Sequence, residues 1–261
     1  MRGLKNKNVL ITGASRGIGK AIAIKFAEEG ANVGINYRDN NEAAENTAKI
    51  CREYGVNVIL VQGPMSIESA ILSVINQTIE KLGSIDILVN NAAIQKNIAT
   101  HDRPTEEFDR TLAVNLRGPF ISSREVIKHF LSRNYPGVII NISSPHEIIP
   151  KPGFIDYAIS KSGMWNLTRT LALEYADRGI RVNSVVPGAV ITDINKNWAF
   201  DPEKRKAVEA HIPMKRAATP EEIAPTVAFI ASDDASYMTG ASIFIDGGAQ
   251  LYPEYRYNWS S

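Results

Sequence analysis

The sequence predicts an α/β protein built on a doubly wound parallel sheet of about seven strands, with helices on both faces. Three observations carry that expectation. Short runs such as Val9-Leu-Ile-Thr12 and Gly137-Val-Ile-Ile-Asn-Ile142 are close to continuously apolar rather than alternating, as strands buried on both faces are. These runs take turns along the chain with segments of helical apolar spacing. A glycine-rich turn, Gly13-Ala-Ser-Arg-Gly17-Ile-Gly19, separates the first strand from the first helix.

In order, residues 9–12 open the sheet and 20–29 follow as a helix. Residues 32–37 form the second strand, 41–54 a helix and 57–62 the third strand. Ser66 is placed to cap a helix running through residue 82, and residues 85–90 make the fourth strand. Thr105 is placed to cap a long helix reaching about residue 132, and 137–142 is the fifth strand. Residues 157–175 read as a helix and 181–186 as a strand. Asp201-Pro202 starts a short helix inside the long excursion 188–218. Thr219-Pro220-Glu-Glu222 combines an N-cap, a proline at the first helical position and a capping-box glutamate. Residues 242–246 are the last strand. No linker, repeat or low-complexity stretch interrupts the pattern, so residues 1–261 read as one domain.

Composition narrows the function. A hydrophobic share of 44% is ample for a core. Twenty-nine basic against 28 acidic residues leave a net charge of +1 with no basic block, which argues against nucleic acid as the main partner. Cys51 is the only cysteine, so neither an internal disulfide nor a cysteine-based metal site can form. The polar start and the lack of an apolar run of ~20 residues imply no signal peptide and no membrane span. A soluble, cytoplasmic protein is expected.

Strand, glycine turn and helix in succession are the context in which such a turn binds a dinucleotide. Glycine lets the backbone approach a pyrophosphate, and the helix N-terminus supplies N–H groups and positive potential. Gly13, Ser15, Arg16, Gly17, Ile18 and Gly19 are the candidate contacts, against the plainer reading of a tight connecting turn. A second constellation is Ser144, Tyr157 and Lys161. On a helix, Tyr157 and Lys161 lie one turn apart on the same face, setting an ammonium beside a phenol. An unperturbed phenol titrates near ~10, and bringing it to ~7 takes about 4 kcal/mol of differential stabilisation. A lysine and an oxidised nicotinamide together are able to supply that, making Tyr157 a general acid/base. The plainer reading is an amphipathic helix with a surface lysine and a half-buried tyrosine.

The ordered set Thr12-Gly-Ala-Ser-Arg-Gly-Ile-Gly19, Asn90-Asn-Ala92, Asn115, Ser144, Tyr157, Lys161 and Val186-Pro-Gly188 resembles the short-chain dehydrogenase/reductase family over essentially the whole chain. Within it, Ser144-Pro-His-Glu147 and the Leu251-Tyr-Pro253 tail most resemble the glucose 1-dehydrogenases. The resemblance implies a Rossmann fold and hydride transfer, with residues 1–92 mainly cofactor-binding and 93–261 carrying the catalytic residues and a substrate loop at about 188–218. It implies that Tyr157 is the acid/base and that Lys161 lowers its pKa and binds the nicotinamide ribose. Ser144 would hold the reacting oxygen, and Asn115 would sit beside a water leading from Lys161 to solvent. Asn91, Ala92, Pro187, Gly188 and Ile191 would line the cofactor. It also implies a homotetramer, with the helices starting near Thr105 and Tyr157 at one interface.

An acid usually ends the second strand in NAD enzymes of this fold, to accept from the ribose 2′-hydroxyl. Here Tyr37 and Arg38 stand there, with Arg16 in the glycine turn, so NADP is preferred and NAD possible. Two departures bear on affinity. Gly63-Pro64 replaces the aspartate the family carries after the third strand, and Ala93 replaces the glycine after Asn90-Asn-Ala92.

Gln95, His146, Glu147 and Asn195 are the candidate contacts for a hydroxyl-rich substrate. The expected reaction is oxidation of an aldose at C1 to the lactone. Gln95 stands where glucose dehydrogenases carry a glutamate, which makes another aldose credible. A carbonyl or 3-oxoacyl-carrier-protein reductase is the alternative enzyme, and a non-catalytic cofactor-binding protein the alternative of another class. His146-Glu147 has no third ligand at suitable spacing, so no metal site is expected. The tail from Leu251 to Trp259 carries four aromatics in nine residues and is expected to pack against a neighbouring subunit.

Overall fold

The computed structural model describes residues 1–251, and the aromatic tail after Leu251 lies outside the described residues. The strands are β1 (Asn8–Ile11), β2 (Asn32–Tyr37), β3 (Val58–Gln62), β4 (Ile87–Asn90), β5 (Gly137–Ile142), β6 (Ile180–Pro187) and β7 (Ser242–Ile245). They form one sheet in the order β3-β2-β1-β4-β5-β6-β7, with every pair parallel. The chain starts in the middle, winds out to β3, then crosses back beside β1 to build the other half. Ile11 is accordingly in register with Ile35 on one side and Val89 on the other. The reversal leaves a crevice beyond the carboxyl ends of β1 and β4, where ligands bind in open parallel sheets.

Helices cover both faces. One face carries α1 (Gly17–Glu28), α2 (Asn41–Arg52) and, from later in the chain, α9 (Pro220–Ala231). The other carries α3 (Glu68–Leu82), α5 (Gly118–Ser132) and α6 (Ile155–Tyr175). Val9 and Ile11 point into a core with Ile22, Phe26 and Val227, while Leu10 between them points into the opposite core with Val74, Phe130 and Ala172. That period-two division is why the strand reads as unbroken apolar sequence.

Some boundaries differ from the sequence reading. Ile67, not Ser66, precedes α3, and no side chain caps it. Thr105 is the first residue of α4 (Thr105–Leu112), behind Pro104, rather than its cap. A π-helical turn at Ala113–Arg117 then interrupts the expected single helix before α5. The excursion after β6 holds a short α7 (Lys196–Ala199) as well as α8 (Pro202–Ala210), whose Asp201 cap accepts from Lys204 N at 3.3 Å. Val190 and Ala218 pair to close its base. Ahead of α9, Glu222 Oε2 accepts from Thr219 N at 2.9 Å, the reach-back half of a capping box.

Candidate active site

Hydrogen bonds from small polar side chains tie together the segments that end β1, β2, β3 and β4. Thr12, just past β1, accepts through Oγ1 from Asn91 N at 2.9 Å and Ala92 N at 3.0 Å. Asn91 Nδ2 returns bonds to Thr12 O and Gly13 O at 2.9 and 3.0 Å. Asn36 on β2 accepts from Gly13 N at 3.2 Å and donates to Val61 O and Gly63 O at 3.1 and 3.0 Å. Gly63 thus ties β3 into the floor in the stretch where the family's aspartate is missing.

Gly13 and Gly17 take φ of +63° and +56°, so the turn needs residues without a Cβ. Gly19 is tighter still, since a Cβ there would lie 2.4 Å from Gly13 O and 2.5 Å from Asn91 Nδ2. Arg16, the residue before α1, makes no side-chain capping bond, so no capping side chain competes for that helix end. Ser15 and Ile18 are half-buried in the same turn. A turn with three glycines against a 12-residue helix that has no side-chain cap fits a dinucleotide pyrophosphate. The Arg16 and Arg38 side chains are both more than half exposed, the first 3.5 Å from Asp193 Oδ2 and the second paired with Asp39. Exposed pairs of this kind are weak, which leaves both guanidinium groups free to reorient. Tyr37 is different: the residue is buried and its hydroxyl donates to Asn41 Oδ1 at 2.7 Å, turned into the start of α2.

Pro187 ends β6, and Gly188 N donates to Ile245 O at 3.0 Å. Ile191 N donates to Ala218 O at 2.9 Å. The following Thr192 lies against Gly17, its Cγ2 3.5 Å from where a Cβ would be, so this loop folds over the glycine turn.

Ser144 follows β5 and precedes a 3-10 turn at Pro145–Glu147, accepting from His146 N at 3.4 Å. Its hydroxyl is also the group that acts to lower the pKa of the Tyr157 phenol. Lys161, one turn further along α6, is buried and donates to Ile142 O at 2.8 Å, with Nζ 5.6 Å from the Tyr157 ring centroid. The three residues therefore converge.

The electrostatics add burial to the sequence expectation. Burial pushes the Tyr157 phenol up, and the opposing influence is the Ser144 hydrogen bond rather than Lys161. Burial likewise brings the Lys161 ammonium down to about 8, opposed by the charge of Glu147. The lysine is aimed at the Ile142 carbonyl, and a cation over the ring stabilises phenolate less than one bonded to its oxygen.

Asn115 is wholly buried inside the π-helical turn. Its Oδ1 accepts from Ile94 N and its Nδ2 donates to Ile94 O, both at 2.9 Å. Nδ2 also reaches Ser160 Oγ at 3.2 Å, which in turn donates to Tyr157 O at 2.7 Å. Asn115 is thus neither a surface residue nor a purely local one, because it ties the loop after β4 to the catalytic helix.

A buried clamp escaped the sequence reading. Arg103 Nη1 lies 2.6 Å from Asp156 Oδ2, with both side chains all but inaccessible. Thr111 Oγ1 donates to the same oxygen at 2.7 Å, while Asp156 Oδ1 accepts from Tyr157 N at 2.8 Å. Arg103 Nη2 adds bonds to Lys96 O and Gly153 O, each at 2.9 Å. The only local signal was an acidic residue opening a helix; its partner sits 53 positions away.

On the substrate side, Gln95 Nε2 donates to Asn195 Oδ1 at 3.2 Å, and Asn195 Nδ2 donates to Val190 O at 2.8 Å. The His146 ring stands edge-on to Tyr157 at 6.3 Å between centroids. Burial and the nearby Lys151 charge hold its pKa low. Glu147 must be corrected as a substrate contact. It is 4% exposed and lies near Ser143, Ser242 and Lys161, where burial raises its carboxyl pKa. A 3-10 turn has about three residues per turn, so neighbouring side chains diverge by roughly 120°. His146 therefore faces the cleft while Glu147 faces the core.

The family profile described as Enoyl-(Acyl carrier protein) reductase matches residues 13–250. A 3beta-hydroxysteroid dehydrogenase 1 from Eggerthella lenta is 47% identical over 254 residues, 97% of each chain. A glucose 1-dehydrogenase from Gluconobacter oxydans is 44% identical over 255 residues, 98% of this chain and 96% of its own. The crystal structure of a short-chain type dehydrogenase/reductase from Mycobacterium marinum matches with a TM-score of 0.90 at 34% identity, covering 94% of this chain and 96% of that one.

Proposed function

The chain belongs to the short-chain dehydrogenase/reductase family, an oxidoreductase acting on CH–OH groups with NAD(P), and from that premise we propose that it oxidises an aldose at C1 to the lactone, preferring NADP. One observation carries the reading. Ser144, Tyr157 and Lys161 converge at the start of α6, with His146 edge-on to the phenol ring and Gln95 joined to Asn195 on the substrate side.

Bound NAD(P)⁺ supplies the hydride acceptor. Gly13, Gly17, Gly19 and the N-terminus of α1 would hold its pyrophosphate, and Arg16 and Arg38 favour a 2′-phosphate. Tyr157 takes the hydroxyl proton during oxidation and returns it in the reverse direction. Ser144, whose hydroxyl lowers the pKa of that phenol, orients the reacting oxygen next to it. Lys161 keeps a positive charge under the ring, held in place by Ile142 O. Asn115 fixes the separation between the Ile94 loop and α6. Gln95 and Asn195 offer donors and acceptors to sugar hydroxyls, where each buried group left unpaired costs about 1–3 kcal/mol.

A second reading, oxidation of an apolar ring alcohol, draws on exposed Ile148, Ile194, Phe200 and Met214, which lie in the loops after Ser144 and β6. A panel of aldoses, hydroxysteroids and a 3-oxoacyl thioester, each run with both cofactors and read by nicotinamide absorbance, separates these. The highest kcat/KM is expected for an aldose with NADP; dominance of a steroid or the thioester overturns the sugar assignment. Assembly as a homotetramer is part of the same proposal. Its support is the set of exposed apolar side chains Phe120 and Leu131 on α5 and Ile155, Ile159 and Leu173 on α6.

A further inference from the structure

The cleft holds a cation that the chemistry above does not use. Lys151 Nζ donates to Gln95 Oε1 at 3.2 Å, lies 4.0 Å from the Phe154 ring centroid and 5.5 Å from that of Tyr157. Its side chain is partly buried, and desolvation alone depresses its pKa, with no carboxylate raising it. Among the described residues no acidic group stands within ion-pair distance of it, whereas Lys25, Lys128 and Lys204 are each paired.

Drawing an ammonium out of water without a counter-charge is unfavourable, and chains ordinarily pair such a group or leave it exposed. Here the polar partner is the neutral amide of Gln95, itself anchored to Asn195. An amide orients the ammonium without neutralising it, and the faces of Phe154 and Tyr157 add attraction that also leaves the charge intact. A positioned, uncompensated cation beside the catalytic phenol is an electrostatic receptor for a negative group on the bound substrate.

We propose that Lys151 is a specificity-determining residue that pairs with a carboxylate of the substrate, so that the enzyme prefers a sugar acid over the corresponding neutral sugar. The proposal rests on the reading of this cleft as a polyol-oxidising site. It assigns Gln95 the task of aiming Lys151, and Asn195 that of holding Gln95.

The test compares D-glucuronate with D-glucose, which differ in a terminal carboxylate. Dissociation constants are measured by calorimetry with NADP⁺ present, in a Tyr157→Phe background so that turnover does not consume the ligand. At least tenfold tighter binding of glucuronate is expected, weakening with added salt. The preference should vanish in Lys151→Met, which keeps the stem's packing, and survive in Lys151→Arg. Equal affinities, no binding of either sugar, or a preference undiminished by Lys151→Met would overturn the proposal. Initial rates with the Tyr157 enzyme keep the two ideas apart. Oxidation of both sugars at C1 without preference for the acid defeats the anion site alone. Carboxylate-selective binding with no oxidation at C1 by either cofactor supports the anion site and defeats the aldose assignment.

Discussion

Tyr157 shows how a local motif conveys identity and leaves environment open. Four residues from Tyr157 to Lys161 make one helical turn, so their shared face was legible without coordinates. Whether burial or the lysine controls the phenol was not, because desolvation depends on Ser144 and the loops around it. That difference has a measurable consequence. Ser144→Ala removes the interaction that lowers the phenol's pKa. Oxidation needs the deprotonated form, so the acidic limb of kcat/KM should move to higher pH as well as fall in height. Glu147, misplaced by the sequence reading because side-chain direction in a three-residue turn leaves no periodic signal, gives a complementary test. Its charge raises Lys161, so Glu147→Gln should drop the lysine further below about 8 and shift the alkaline limb to lower pH. An unmoved alkaline limb would show that Glu147 is already neutral.

At the level of elements, strands and the glycine turn were readable because apolar runs and glycine spacing are local. The π-helical turn around Asn115 and the buried pair of Arg103 with Asp156 were not, since both are fixed by contacts across long separations. The pair joins α4, the loop after β4 and the first turn of α6, and so sets where Tyr157 begins. Removing one member leaves the other charge buried. Arg103→Met is therefore expected to cost about 3–5 kcal/mol in urea denaturation, and adding Asp156→Asn should restore part of that loss. Additive losses would deny the coupling. In the glycine turn, Gly19→Ala drives a methyl into Gly13 O and Asn91. Calorimetry should show NADP binding weakened about tenfold, ~1.4 kcal/mol, even though alanine is the better helix former.

For the whole molecule, the sheet order puts every proposed catalytic group in the connections that follow β4 and β5, on the side of the sheet order next to β1. The alternation of strands and helices made that architecture legible; substrate class was not, since it depends on loops such as the one joining Gln95 to Lys151 and Asn195. Light scattering should return the mass of four chains, and Ile159→Asp with Leu173→Asp should reduce it, because both side chains are exposed on one helix. Cofactor preference is a property of the crevice as a unit. Arg16→Ala combined with Arg38→Ala should raise KM for NADP far more than for NAD, and equal changes would remove the basis for the preference. The most direct measurement is the initial rate of NADP⁺ reduction with an aldose by the native protein and by Tyr157→Phe, with cofactor affinity determined in parallel. A fall of about 10²–10⁴ in rate at unchanged cofactor affinity is expected of a lost general base. Comparable rates from the two proteins would contradict the assignment of Tyr157 as the proton acceptor.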